Sequence, residues 1–190
     1  LGVQPEQRVA LILPDGFDFA ACFWGAIRMG AVAVPLNTQW PDKEYRHCLA
    51  DSRARVIVCD AEFWPRVSPA LEGLRRKPAV VIAGESVPHH PSLAALLREA
   101  PEAPVSEPTH RDEPAFWLYS SGSTGAPKGV VHLHHDMVVC QETYARQVLG
   151  IQESDRVYSA AKLFFAYGLG NAGYFPMGAG AQSVLYPGRP

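Results

Sequence analysis

Residues 9–36 read VALILPDGFDFAACFWGAIRMGAVAVPL, and three elements follow one another within them. Residues 9–13 are a short apolar run closed by Pro14-Asp15-Gly16, which predicts a strand and then a turn. Residues 17–29 are apolar on nearly every face, with Asp15 placed to cap them and Gly30 to stop them, so a buried helix is expected. Residues 31–36 form a second short apolar strand. Two strands joined through a helix read as one strand–helix–strand unit.

The alternation continues along the chain. Residues 41–50 set Tyr45, Cys48 and Leu49 at helical spacing, with Pro41 suited to a first helical position. Strands are expected at 56–59 and 79–83, and helices at 65–76 and 92–100, the last with Leu93, Leu96 and Leu97 on one side. Strands this short, apolar on both faces and separated by helices, predict an α/β fold whose mostly parallel sheet is covered on both sides. Residues 101–114 carry four prolines and mixed charges, so they read as a connector between a first α/β subdomain, 1–100, and a segment of a second, 115–190. In that second part a strand about Phe116, a strand about Val130, a helix over 134–149 and strands at 156–161 and 182–186 are expected. The stretch 164–180 is apolar and punctuated by glycine.

The totals narrow the function. A chain of 190 residues buries about 70% of its unfolded surface and needs no disulfide or metal staple. Seventeen basic against 19 acidic residues leave a formal net charge of −2, which argues against a nucleic-acid binder that relies on a basic field. Arg75-Arg76-Lys77 is the one basic cluster and reads as a solvated helix end. Cys22, Cys48, Cys59 and Cys140 form no CxxC pair and read as reduced thiols of a cytoplasmic protein. The sequence has no apolar run near the ~20 residues of a membrane span. Leu1 lies in the approach to a strand and Pro190 closes no helix, so a fragment of a longer chain is expected.

Residues 119–135 read YSSGSTGAPKGVVHLHH. Four hydroxyls, Ser120, Ser121, Ser123 and Thr124, stand with Gly122 and Gly125 between two apolar strands, and Lys128 follows. The Walker pattern GxxxxGK[ST] fails here, because counting from Gly122 places Lys128 correctly but sets Pro127 and Gly129 at its flanks. The nucleophile elbow GxSxG fails as well, since Gly122 is followed by Ser123 and then Thr124, and no serine occupies the middle position. A plain hairpin needs only two to five linking residues and has no use for four hydroxyls. What remains is a phosphate cradle, in which hydroxyls and glycine-exposed amides donate to phosphate oxygens and a lysine supplies the charge.

The run YSSGSTGAPKGV, 119–130, closely resembles the signature loop of the adenylate-forming enzymes, the superfamily of acyl- and aryl-CoA synthetases. The stretches GAVAVPLNT (30–38), DSRARV (51–56) and KLFFAYGLGN (162–171) agree, the last looking most like the benzoate-CoA ligase branch. The resemblance runs the length of the chain and covers part of that family's large N-terminal domain. It implies a two-step reaction: a carboxylate attacks the α-phosphate of ATP, and coenzyme A then displaces AMP to give a thioester. It implies that Ser120, Ser121, Gly122, Ser123, Thr124 and Gly125 surround the β- and γ-phosphates, with Lys128 the catalytic cation and Thr124 nearest Mg²⁺. Phe165, Ala166, Tyr167 and Gly168 match the family's aromatic motif and would wall a flat slot for a planar aromatic acid. Core aromatics are the alternative for these residues, and a surface role is expected for Lys162.

His132, His134 and His135 invite a metal reading, but zinc sites use three or four ligands at defined spacing, and no cysteine or carboxylate pattern completes one. A helix start with Asp136 near the positive end of its dipole fits better. His134 matches a histidine often seen in the family. Leu133, His135 and Asp136 depart from its text, as does Trp40 where a capping Ser or Thr is usual. The family's acidic Mg²⁺ ligand, ribose-binding aspartate, hinge and C-terminal lysine have no counterpart in these residues. A carrier-protein thiol in place of coenzyme A, and a non-catalytic binding module, are the alternatives.

Overall fold

The computed structural model describes residues 1–101, 106–120 and 125–188. Six strands form one sheet: β1 (Arg8–Ile12), β2 (Val32–Pro35), β3 (Val56–Asp60), β4 (Ala79–Ala83), β5 (Pro114–Ser120) and β6 (Lys128–Leu133). Their order is β4-β3-β1-β2-β5-β6, parallel through β5, with β6 antiparallel at the edge. Two short strands, β7 (Arg156–Tyr158) and β8 (Gln182–Val184), pair in parallel as a second sheet.

Alternate side chains of the central strands feed two cores, as the two-residue strand period requires. Val9, Leu11, Ala33 and Val58 pack with Phe19, Phe23 and Ile27 of α1 (Phe17–Arg28). Ala10, Ile12, Val34, Ile57 and Cys59 pack on the other face with Tyr45, Cys48 and Leu49 of α2 (Asp42–Ser52). Helix α1 is less enclosed than its composition predicts, since its first residue, Phe17, is exposed.

Two expectations change. The helix expected over 65–76 is only α3 (Trp64–Val67) and a 3₁₀ turn, Ser68–Leu71. Pro69 lacks the N–H that an α-helix interior needs, and Gly73 then takes a φ of 81°. Asp15 does not cap α1: Gly16 holds that position, and the Asp15 carboxylate accepts the N–H of Leu163 at 3.1 Å. Strand β5, which follows the proline-rich 101–114 stretch, joins the same sheet as β2, pairing Ala33 with Phe116.

Helix α4 (Leu93–Glu99) buries Leu93 while Leu97 is exposed. Helix α5 (His134–Cys140) continues into the wider π-type turns of Gln141–Leu149. Its start is fixed by Asp136, which accepts the Leu133 N–H at 2.9 Å, while His132 stacks on Phe116 with ring centroids 4.6 Å apart. Beyond β7 lie α6 (Ala166–Leu169) and α7 (Phe175–Ala179), joined by a π-type turn. Among the described residues, no helix is long and apolar enough to cross a membrane.

Candidate functional site

Because β1, β2, β3 and β5 run in one direction, the residues that follow them gather on one edge of the sheet. Strand β2 lies on one side of β1 and β3 on the other, so the chain reverses its winding at β1. Open parallel sheets bind ligands at such a reversal, beyond the carboxyl ends of the strands. A cleft of about 320 Å³ opens there, lined by Asp15 after β1, Thr38 after β2, Arg66 after β3, and Lys162 and Phe164.

Asp15 is 5% exposed. Burial raises its carboxyl above the ordinary range, and the Leu163 N–H and the nearby Lys162 ammonium oppose that shift. The Lys162 Nζ lies 3.8 Å from Asp15 Oδ2 and donates to the carbonyls of Tyr186, at 2.7 Å, and Gly188. Lys162 is therefore a half-buried tie between three segments rather than a surface lysine. Its role could not be read from sequence, since its partner Asp15 lies far along the chain and no local pattern links them.

The hydroxyl loop starts and ends on the same edge. Ser120 closes β5 directly opposite Lys128, which opens β6, and both are exposed. Gly125 has a φ of 129°, in the region where a Cβ is costly. Ser121, Gly122, Ser123 and Thr124, the heart of the expected phosphate cradle, lie outside the described residues. The stems are held by α2: the Tyr119 hydroxyl is 2.6 Å from Asp51 Oδ2, and His47 Nε2 is 2.8 Å from the Pro127 carbonyl oxygen. Sequence reading missed these anchors, although the helical register of Tyr45, Cys48 and Leu49 fixes where His47 and Asp51 fall.

The aromatic motif is divided between two environments. Phe164 is buried and lines the cleft, its ring 4.6 Å from that of Phe165. Phe165, Ala166 and Tyr167 are exposed at the start of α6, while Gly168 is buried. The four expected pocket residues thus form an open wall, and only Gly168 is enclosed by this chain.

The AMP-binding enzyme family matches residues 1–190. The chain belongs to that family. It is 48% identical over 190 residues to the benzoate–CoA ligase of Thauera aromatica, and 48% identical to a 4-hydroxybenzoate–CoA/benzoate–CoA ligase of Rhodopseudomonas palustris. All of this chain is covered in both cases, but only 36% and 35% of those proteins, so the chain spans about a third of their length. Its fold matches the crystal structure of an anthranilate CoA ligase in complex with anthranoyl-AMP at a TM-score of 0.96, with 36% identity over 98% of this chain and 36% of that one. A benzoate CoA ligase from Burkholderia xenovorans LB400 matches at 0.90, with 39% identity over all of this chain and 37% of that one. In this AMP-binding chain the adenylate-forming fold expected from the signature loop is therefore present.

Proposed function

We propose that this chain is part of an AMP-forming aryl-CoA ligase that activates benzoate or a close ring-substituted acid. The observation that carries the reading is the hydroxyl loop, strung from Ser120 to Lys128 at the carboxyl edge of the parallel sheet, in a chain 48% identical to two ligases named for benzoate. In the reaction, the acid's carboxylate attacks the α-phosphate of ATP, pyrophosphate leaves, and the thiol of coenzyme A displaces AMP to form the thioester.

Ser120, Ser121, Gly122, Ser123, Thr124 and Gly125 donate to the phosphate oxygens, and Lys128 neutralises charge as pyrophosphate departs. The reading is supported by the exposure of Lys128 at the first residue of β6, where strand pairing with Ser120 fixes its backbone. Mg²⁺ fits as an ion carried mainly by the nucleotide phosphates, a habit of this hard cation, with the Thr124 hydroxyl as its contribution from this chain. When bound it would neutralise phosphate charge. Among the described residues no group of three or more His, Cys, Asp or Glu could hold a metal ion. Phe165, Ala166, Tyr167 and Gly168 supply one wall for the aromatic ring. A cytoplasmic setting is supported by the four free cysteines, since thiols stay reduced there.

The test is Lys128→Ala in the complete enzyme, this chain continued to the length of its relatives. One lost charge-assisted contact is worth about 1.5–3 kcal/mol, or roughly a tenfold to hundredfold loss in adenylate formation. Circular dichroism should be unchanged, because Lys128 is exposed. Unaltered ATP kinetics would remove the phosphate role.

A further inference from the structure

Helix α2 touches the hydroxyl loop at both ends. On the entering side, Tyr119 is buried, and its hydroxyl lies 2.6 Å from Asp51 Oδ2 and 3.3 Å from the Cys48 carbonyl oxygen. Burial and the Asp51 carboxylate push the phenol well above its ordinary range, so the hydroxyl stays protonated and donates. On the leaving side, His47 Nε2 lies 2.8 Å from the carbonyl oxygen of Pro127, the residue before Lys128. The carbonyl can only accept, so the imidazole is the donor. The two stems also meet each other, because a Cβ on Gly129 would stand 3.3 Å from the Tyr119 ring.

His47 and Asp51 are four residues apart on one helix, hence on one face. That helix is itself rigidly seated: Tyr45, Cys48 and Leu49 are buried, and the Tyr45 hydroxyl donates to the Asn37 carbonyl at 2.9 Å. Trp40, just before α2, sets its ring edge against both Tyr45 and Tyr119. Glycine and small hydroxyl side chains offer little surface with which a loop could pack itself in place. Its stems must be placed by something outside it.

We infer that His47 and Asp51 are positioning residues that clamp the two stems of the hydroxyl loop onto α2, and that the His47 bond to Pro127 sets where Lys128 presents its charge. The inference rests on the phosphate-loop reading proposed above. It predicts a division between substrates, because the clamp bears on the nucleotide phosphates and leaves the aromatic wall at α6 untouched. A role in general stability would affect both substrates together.

The experiment compares His47→Ala, His47→Gln and Lys128→Ala in the complete ligase, measuring KM for MgATP, KM for benzoate and thermal midpoint. His47→Ala is expected to raise KM for MgATP by about two- to tenfold, the worth of one neutral hydrogen bond, with KM for benzoate and the midpoint held. His47→Gln, whose amide Nε2 keeps a donor at about the same reach as the imidazole Nε2, should recover most of that change. Parallel rises for both substrates, a lowered midpoint that accounts for the loss, or a glutamine variant no better than alanine would each overturn the clamp. If Lys128→Ala changes ATP kinetics while His47→Ala does not, the clamp falls and the phosphate loop stands. If Lys128→Ala is silent, both fall together.

Discussion

Ala166 and Gly168 are two residues apart in one motif, yet they face opposite constraints. Ala166 is exposed, whereas Gly168 is buried and a Cβ there would enter the carbonyl oxygens of Lys162 and Ala161. Those carbonyls belong to the segment whose Leu163 N–H is fixed on Asp15, so they cannot easily retreat. Gly168→Ala should therefore cost ~1–3 kcal/mol of overpacking, a fall of roughly 2–12 °C in thermal midpoint for a chain of this size. Ala166→Leu should leave the midpoint within about 2 °C, since exposed substitutions usually stay within ±0.5 kcal/mol. Under the proposed aryl-CoA ligase function, the same leucine in the complete enzyme would crowd the ring and lower turnover of ring-substituted benzoates more than of small aliphatic acids. Equal midpoints for the two variants would show that the backbone around residue 162 yields, and the packing account of Gly168 would be abandoned. The motif was legible from its resemblance, but the division of labour inside it was not. Both residues are small, and only the carbonyls folded against Gly168 distinguish them.

Among the elements, β6 and the start of α5 carry a pH dependence. Burial lowers the pKa of His132 below its ordinary 6.5, against the attraction of Asp136, and burial lowers that of His134 against Glu113. The folded chain thus prefers both imidazoles neutral, and the unfolded chain binds more protons as the pH falls toward 6.5 and below. Their contribution is fully present above pH 6.5 and is lost on acidification through the lowered folded values. The thermal midpoint should fall between pH 7.5 and pH 5, and a His132→Asn, His134→Asn double variant should show a shallower fall. Matching slopes in variant and parent would assign the acid sensitivity to other groups. Most elements around this hairpin are readable from sequence. Strands β1 to β4 are buried on both faces, so they stand out as apolar runs of four or five residues. The short length of α3 is readable from Pro69, which breaks the helix that spacing alone continues, but the loss of the Asp15 cap is not, because the donor that claims Asp15 is 148 residues away. The pairing of β5 with β2 is equally hidden, since a parallel partner carries no mark of which strand it will join.

At the scale of the molecule, one sheet gathers the ends of the hydroxyl loop, the switch-point cleft and the aromatic motif near its carboxyl edge, and among the described residues none of them is closed around a ligand. Phe165 and Tyr167 are 47% and 69% exposed, so an aromatic ring would meet protein on one side only. The chain matches one anthranilate CoA ligase at a TM-score of 0.96, yet it spans about a third of that protein's length. Adenylation must hold phosphates, ribose, metal and the attacking carboxylate at once, and positioning of that kind accounts for most of the rate in phosphate chemistry. Held by its phosphates alone, ATP would make a few charge-assisted bonds of ~1.5–3 kcal/mol each. The translational and rotational freedom it loses on binding costs ~4–15 kcal/mol, which would consume most of that gain. The 190-residue chain by itself is therefore expected to bind ATP weakly and to catalyse no benzoate-dependent exchange of pyrophosphate into ATP. Isothermal titration with MgATP and the exchange assay, run on the purified chain free of any longer enzyme, check this. Robust exchange would mean that these residues alone build a closed adenylation site, and the open wall at α6 would then have to close around its substrate unaided.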